Sequence, residues 1–197
     1  MRKFIIIIMI AAILVVGYLG KPSSTEDAAK EYSFKDALDE VKEIEKKFNF
    51  DAGYPDSIED KWSMLGYLNN IKNYVENLPK DEETNAIYNY ILFRTKELDA
   101  KIKFQLAAAY KLSVMEDNTL ICPQEEPYEK RMQYFNESVK LGYESAEHLK
   151  ILINNYPKYF EMTKIEKITP KLIEAQYYQI EEDRKEEEKT VRGLCFG

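Results

Sequence analysis

The residues best able to do chemistry are scarce. The 197-residue chain holds two cysteines, Cys122 and Cys195, and one histidine, His148. Two thiols can form a disulfide, act as a redox pair or ligate a metal. The last two uses favour C-x-x-C spacing or histidines close by, and the sequence has neither. Outside the cytoplasm the pair reads as one structural disulfide, with two free thiols as the alternative. It would close a loop of about 74 residues, for which the chain-entropy account gives roughly 4 kcal/mol. It would also pin the tail Val191–Gly197 against the loop between the third and fourth helices. A Ser-His-Asp triad or a His-based zinc site would depend entirely on His148, so no catalytic or metal role is expected of it. Asp51, Asp56, Glu59 and Asp60 gather around one helix start. Calcium needs several oxygen ligands, but the D-x-D-x-D-G order is missing, and helix capping and the helix dipole explain the cluster. A glycosidase needs two carboxylates across a cleft; the 35 acidic residues permit this without pointing to it. Asn136-Glu137-Ser138 is a glycosylation triplet on a helix, an unusual place for an occupied one. No phosphate loop, G-x-S-x-G or dinucleotide fingerprint is present, and no cofactor is expected.

Charge narrows the partners. Arg2 and Lys3 are two of the 28 basic residues, which leaves 26 against 35 acidic ones after position 20, a net −9. Nucleic-acid binding needs basic residues to displace counterions, and an anionic lipid surface would repel this part of the chain. Glu181 to Lys189 (EEDRKEEEK) reads as the solvated end of a helix.

The N-terminus carries a different message. After Met1-Arg2-Lys3, the run Phe4 to Leu19 is apolar and uncharged. It is long for a signal peptide and short for a spanning helix. Val15-Val16-Gly17 is the best candidate cleavage site and a poor one, so residues 1–20 read as an uncleaved membrane anchor, with a cleaved signal peptide as the alternative. No cysteine follows to take a lipid. In both readings the basic end stays in the cytoplasm. Residues 21–25 form a linker, and 26–197 form a single extracytoplasmic domain. It would be a single-pass protein of the cell membrane, or secreted if cleaved.

The elements that position these residues read as helix after helix, an all-α, antiparallel array of helical hairpins. Ser24-x-x-Asp27 resembles a capping box opening a helix to about Phe48. Ser57-x-x-Asp60 opens a second, with a stripe of Ile58, Trp62, Leu65, Leu68, Ile71, Val75 and Leu78, which Pro79 ends. Asp81 caps a third to about Met115, with Ile87, Ile91, Leu98, Ile102, Leu106 and Ala109 as its stripe. Residues 116–127 read as a loop, with no hairpin signal. A fourth helix covers about 127–141 and stops at Gly142, a good residue beyond a helix end. Ser145 caps a fifth, which places His148 in its exposed first turn, and Pro157 ends it. Thr163 starts a short turn. Thr169-Pro170 opens the last helix, to about Thr190, with a cap followed by proline.

One spacing is more specific. On the fourth helix, Tyr128, Phe135 and Ser138 follow Y-E-K-x-x-x-Y-F-x-x-S-x-x-L. Upstream stands Leu106-Ala107-Ala108-Ala109-Tyr110, and downstream Leu149, Leu152 and Tyr156. Residues 104–156 thus resemble a tetratricopeptide-like helical repeat, interrupted by the 116–127 insertion. Arg131 stands where that pattern has a small residue. The resemblance implies close approach of paired helices at Ala107, with Phe135 and Ser138 facing the helix that carries it, and a protein-binding role. A helical bundle with the same small-and-aromatic packing is the alternative.

Together these features describe a membrane-anchored or exported helical module that binds a protein or peptide. A self-associating structural component of the cell envelope is the second reading, and a carboxylate-based cell-wall hydrolase the third.

Overall fold

The computed structural model describes residues 32–48, 57–110, 114–116, 119–165 and 167–196. The apolar run 4–19, the linker 21–25, the cap expected at Ser24, and Asp51 and Asp56 lie outside them.

Helix α1 is Phe34–Lys47. Its cap is Ser33: the Ser33 hydroxyl accepts from the Asp36 amide at 3.2 Å, and the Asp36 carboxylate accepts from the Ser33 amide at 3.0 Å. This reciprocal pair satisfies two amides at the helix start. Helix α2, Ile58–Glu76, starts at the expected Ser57 cap. Helix α3, Glu82–Ala109, is capped by Asp81, whose carboxylate takes the Thr84 amide at 2.7 Å. Those backbone bonds hold the Asp81 carboxyl below its usual range.

Two expected boundaries move. Helix α3 stops at Ala109, because Tyr110 turns to extended backbone (ψ 108°). A short antiparallel hairpin, β1 (Val114–Glu116) and β2 (Thr119–Ile121), takes up the expected end of the third helix and the start of the expected loop, in the register Val114 to Ile121, Met115 to Leu120 and Glu116 to Thr119. Three residues a side is too short for apolar alternation to show. Between them the sequence places Asp117 and Asn118, residue types common in tight turns.

The largest correction is helix α4. It runs unbroken from Glu125 to Asn155, 31 residues, through Gly142 and Ser145. The expected end and restart are both interior positions. Helix α5 (Pro157–Thr163) follows, ended by Lys164 in the left-handed region (φ 56°). Helix α6 (Pro170–Val191) starts at the expected Thr169 cap, and a π-helical turn, Arg192–Phe196, closes the described chain.

Residues 32–197 form one compact unit. Helices α2 and α3 are antiparallel: Glu76 meets Tyr88 at one end and Lys61 meets Gln105 at the other. Helices α3 and α4 are antiparallel along almost their full length, from Asn89 against His148 to Ala107 against Arg131. Helix α6 packs back along α4. The main core joins α1, α2, α3, α4, α5 and α6 around Phe34, Leu68, Ile91, Leu98, Leu149, Tyr159 and Tyr177. A smaller core lies at the other end of α4: Ala107, Tyr128, Met132, Phe135 and Val191.

Trp62 is not in the core; it is 46% exposed, and Met64 is fully buried instead. At about 100° per residue, Met64, Leu68, Ile71 and Val75 fall within roughly 60° of one another, and Trp62 lies roughly 150° away. Ala109 is also exposed. Lys61, near the start of α2, already sits opposite Gln105, so the last turn of α3 runs past the helix that would cover it.

Candidate functional site

The α3–α4 seam is built from small residues. Ala100, Ala107, Ser138, Ser145 and Ala146 are fully buried along it. The Ser138 hydroxyl donates to the Ala100 carbonyl at 2.8 Å, and the Ser145 hydroxyl to the Phe93 carbonyl at 3.2 Å. A side chain that reaches a neighbouring helix's backbone requires the helices to be close. Gly142 serves the other side of α4. A Cβ built there would lie 2.2 Å from Tyr177 Cδ2, so the missing side chain is the space that the Tyr177 ring of α6 occupies. Tyr177 is 2% exposed, and burial raises its hydroxyl pKa well above the usual value.

Arg131, the residue that departs from the repeat pattern, ties three elements together. Its Nη1 donates to the Ala107 carbonyl at 2.7 Å and to the Tyr110 carbonyl at 2.9 Å. These groups lie at the C-terminal end of α3, where helix carbonyls run short of i+4 amide donors; the Ala107 carbonyl also accepts from the Tyr110 amide at 3.2 Å. Nε and Nη2 donate to the two Glu187 oxygens on α6 at 2.8 and 2.9 Å. The guanidinium also lies 4.7 Å from the Phe135 ring centroid. Neither sequence spacing nor propensity announces this role.

The sequence-predicted packing residues fall on α3, α4 and the start of α5. Ala107, Tyr128, Phe135 and Ser138 are buried at the seam or in the small core, and Leu149 and Leu152 in the main core. Leu106 and Tyr156 are half-buried against the main core, and Tyr110 stacks on Tyr134 with centroids 6.0 Å apart. Phe135 meets Phe104 of α3 at 5.8 Å and Ser138 meets Ala100, so both do face the helix that carries Ala107. Cys122 and Cys195 form a disulfide, with Cα atoms 5.5 Å apart. It joins the segment before α4 to the terminal turn.

His148 is not in an exposed first turn. It lies well inside α4, half-buried, with Nδ1 3.1 Å from the Asn89 Oδ1 of α3. Burial lowers its pKa, with Lys96 adding to the effect. Among the described residues no group of three or more His, Cys, Asp or Glu could hold a metal ion. Glu40 and Glu43 line a cleft between α1 and α2, but they sit three residues apart on one helix and so share one wall. Ser138 of the glycosylation triplet is fully buried.

Two features were not anticipated. A line of charges crosses the core from Glu45 of α1 to Arg94 of α3, then Glu97 and Lys101. Arg94 and Glu97 are 6% and 7% exposed. Burial lowers the Lys101 pKa against the pull of Glu97, and burial pushes nearby Tyr90 up to about 12. The i, i+3 and i+4 spacing of Arg94, Glu97 and Lys101 was visible in the sequence, but it usually marks a solvated face. The second is a groove of about 780 Å³ lined by Lys61 of α2, by Lys101, Phe104, Gln105 and Ala108 of α3, and by Gln176, Tyr177, Gln179 and Ile180 of α6. α3 and α6 contribute four residues each and α2 only Lys61. Phe104 is 40% exposed in it. Phe104, Ala108 and Ile180 share the lining with two lysines and three glutamines.

Comparisons with protein-family models, with curated proteins and with solved structures found no match.

Proposed function

We propose that the chain is a membrane-anchored or exported helical interaction module. Its partner is a protein that lays a helical segment, apolar face down, into the groove between α2 and α6. The groove itself is the observation that carries this reading. Four residues of α3, four of α6 and Lys61 of α2 line it, and Phe104, Ala108 and Ile180 offer the apolar contacts that helix-in-groove recognition uses. The net −9 after position 20 favours a partner that is neutral or basic outside its apolar face. The apolar run 4–19 supplies the anchor or export signal on which the extracytoplasmic placement rests.

Crosslinking followed by pull-down of the full chain from its native membrane fraction tests the proposal. Wild type should recover a partner other than itself. Ala108→Trp should lose that partner at unchanged stability, because Ala108 is exposed and lines the groove. Recovery of the chain alone, or equal recovery by the variant, would refute groove binding.

Self-association as an envelope component is favoured by one different observation: Trp62, Tyr67 and Tyr74 of α2 are 46%, 40% and 52% exposed. Tyr67 and Tyr74 are partly covered by Lys47 and Tyr32, so Trp62, on another face of α2, is the ring a second copy would pack against. A concentration-dependent mass in light scattering, abolished by Trp62→Glu and unaffected by Ala108→Trp, would select this reading.

A further inference from the structure

We propose that the Cys122–Cys195 disulfide is a redox latch. In this reading it holds the terminal turn closed over the small core, and a dithiol releases that turn without unfolding the main core. The proposal is independent of groove binding.

The turn has little else to hold it. None of Arg192–Phe196 is buried, and Leu194 is 64% exposed. Within the described residues its helical contacts are chiefly with α6, the helix it continues. Across the fold it is tied by the disulfide, by Cys195 against the small core, and by the Phe196 ring 5.4 Å from Tyr128. The small core has few members, and Val191 of α6, next to the turn, is one of them.

The closed state also carries an internal cost. The Tyr128 hydroxyl and Arg184 Nε are buried, and neither has a hydrogen-bond partner among the described residues. Both are donors, and a buried donor without an acceptor lowers stability. Tyr128 lies directly beneath Phe196, and Arg184 and Arg192 line the adjoining cleft with Glu188. Lifting the turn admits water to these groups. The covalent link therefore holds shut a contact that its polar groups resist.

The bond is open to attack. Cys122 is exposed, whereas Cys195 is half-buried. A thiolate of a dithiol reductant attacks the Cys122 sulfur, forms a mixed disulfide and expels Cys195 as a thiolate. The reductant's second thiolate then attacks its own sulfur in that mixed disulfide and expels the Cys122 thiolate. Two electrons pass from the dithiol, which becomes a cyclic disulfide, to the cysteine pair, and the two cysteine thiolates take up protons according to pH.

The test uses the full chain, dithiothreitol and hydrogen exchange read by mass spectrometry. Under native conditions, reduction should proceed at a rate proportional to dithiothreitol. Exchange over residues 192–196 should then rise about tenfold or more, with α3 and α4 unchanged. Cys122→Ser/Cys195→Ser should show the same pattern without reductant. A reduction rate independent of dithiothreitol and equal to global unfolding would overturn the proposal. So would an unchanged tail after reduction, or protection lost equally through α3 and α4, which would make the bond a staple of the whole fold.

Discussion

Arg131→Met replaces, with one of nearly the same length, a side chain that makes four hydrogen bonds from α4 to two other elements, the end of α3 and α6. The variant leaves Glu187, whose side chain is 16% exposed, without its cation. It also strips the Ala107 and Tyr110 carbonyls of a charged donor. Breaking a buried pair from one side costs about 3–5 kcal/mol. The pair here is mostly rather than fully buried, with the Arg131 side chain 12% exposed, which favours the lower end, about 3 kcal/mol. For a helical unit of this size each kcal/mol moves Tm by about 2–4 °C, so a loss of roughly 6–12 °C is expected. Arg131→Met/Glu187→Met should recover a large part of it, because the orphaned carboxylate goes too. Arg131→Lys should fall between wild type and Met, since an ammonium cannot span both carbonyls and both carboxylate oxygens. Denaturant unfolding followed by circular dichroism measures all three. A cost below about 1 kcal/mol for Arg131→Met would show the bridge to be a weak surface pair and refute the assignment. A double variant no better than the single would place the cost in the lost α3 carbonyl contacts instead.

Gly142→Ala should destabilise by about 1–3 kcal/mol as Tyr177 is displaced; a neutral or stabilising effect, as expected for a glycine in an uncrowded helix interior, would contradict the packing of α6 on α4. Ser57→Ala should cost about 1 kcal/mol through loss of the α2 cap, seen as a lower urea midpoint with the slope unchanged. His148 should titrate in the folded state below its ordinary value of 6.5. Its contribution to stability is then complete above that pH and is lost as pH falls toward the folded-state value. An NMR titration of its ring protons with a midpoint above 6.5 would be the wrong sign.

Helix type and most helix starts were legible because caps are local chemistry: Ser57, Asp81 and Thr169 each carry their signal within four residues. Gly142 was misread for a physical reason. A glycine after an apolar stripe ends many helices through its freedom at positive φ, but here its value lies in having no side chain, and that depends on Tyr177, 35 positions away. The start of α1 at Phe34 is capped by Ser33, which carries the same S-x-x-D motif as Ser24, and Phe34 packs there against Tyr90 and Tyr159. The facing of Phe135 and Ser138 toward α3 was an expectation from the repeat resemblance, and the cysteine pair one from two thiols placed outside the cytoplasm. The groove was not expected, since it is bounded by helices from three parts of the chain. Arg131 stood where the repeat pattern has a small residue; its partners are two backbone carbonyls, which no sequence pattern displays, and a carboxylate 56 positions away.

The unbroken α4 has a mechanical consequence. Thirty-one residues at 1.5 Å make a rod about 46 Å long, with Tyr128 and Phe135 in one core and Leu149 and Leu152 in the other. A hinge at Gly142 would have let each core move by itself. Without one, a tilt of about 5° at one end carries the other through roughly 4 Å, so the disulfide end and the main core share one lever.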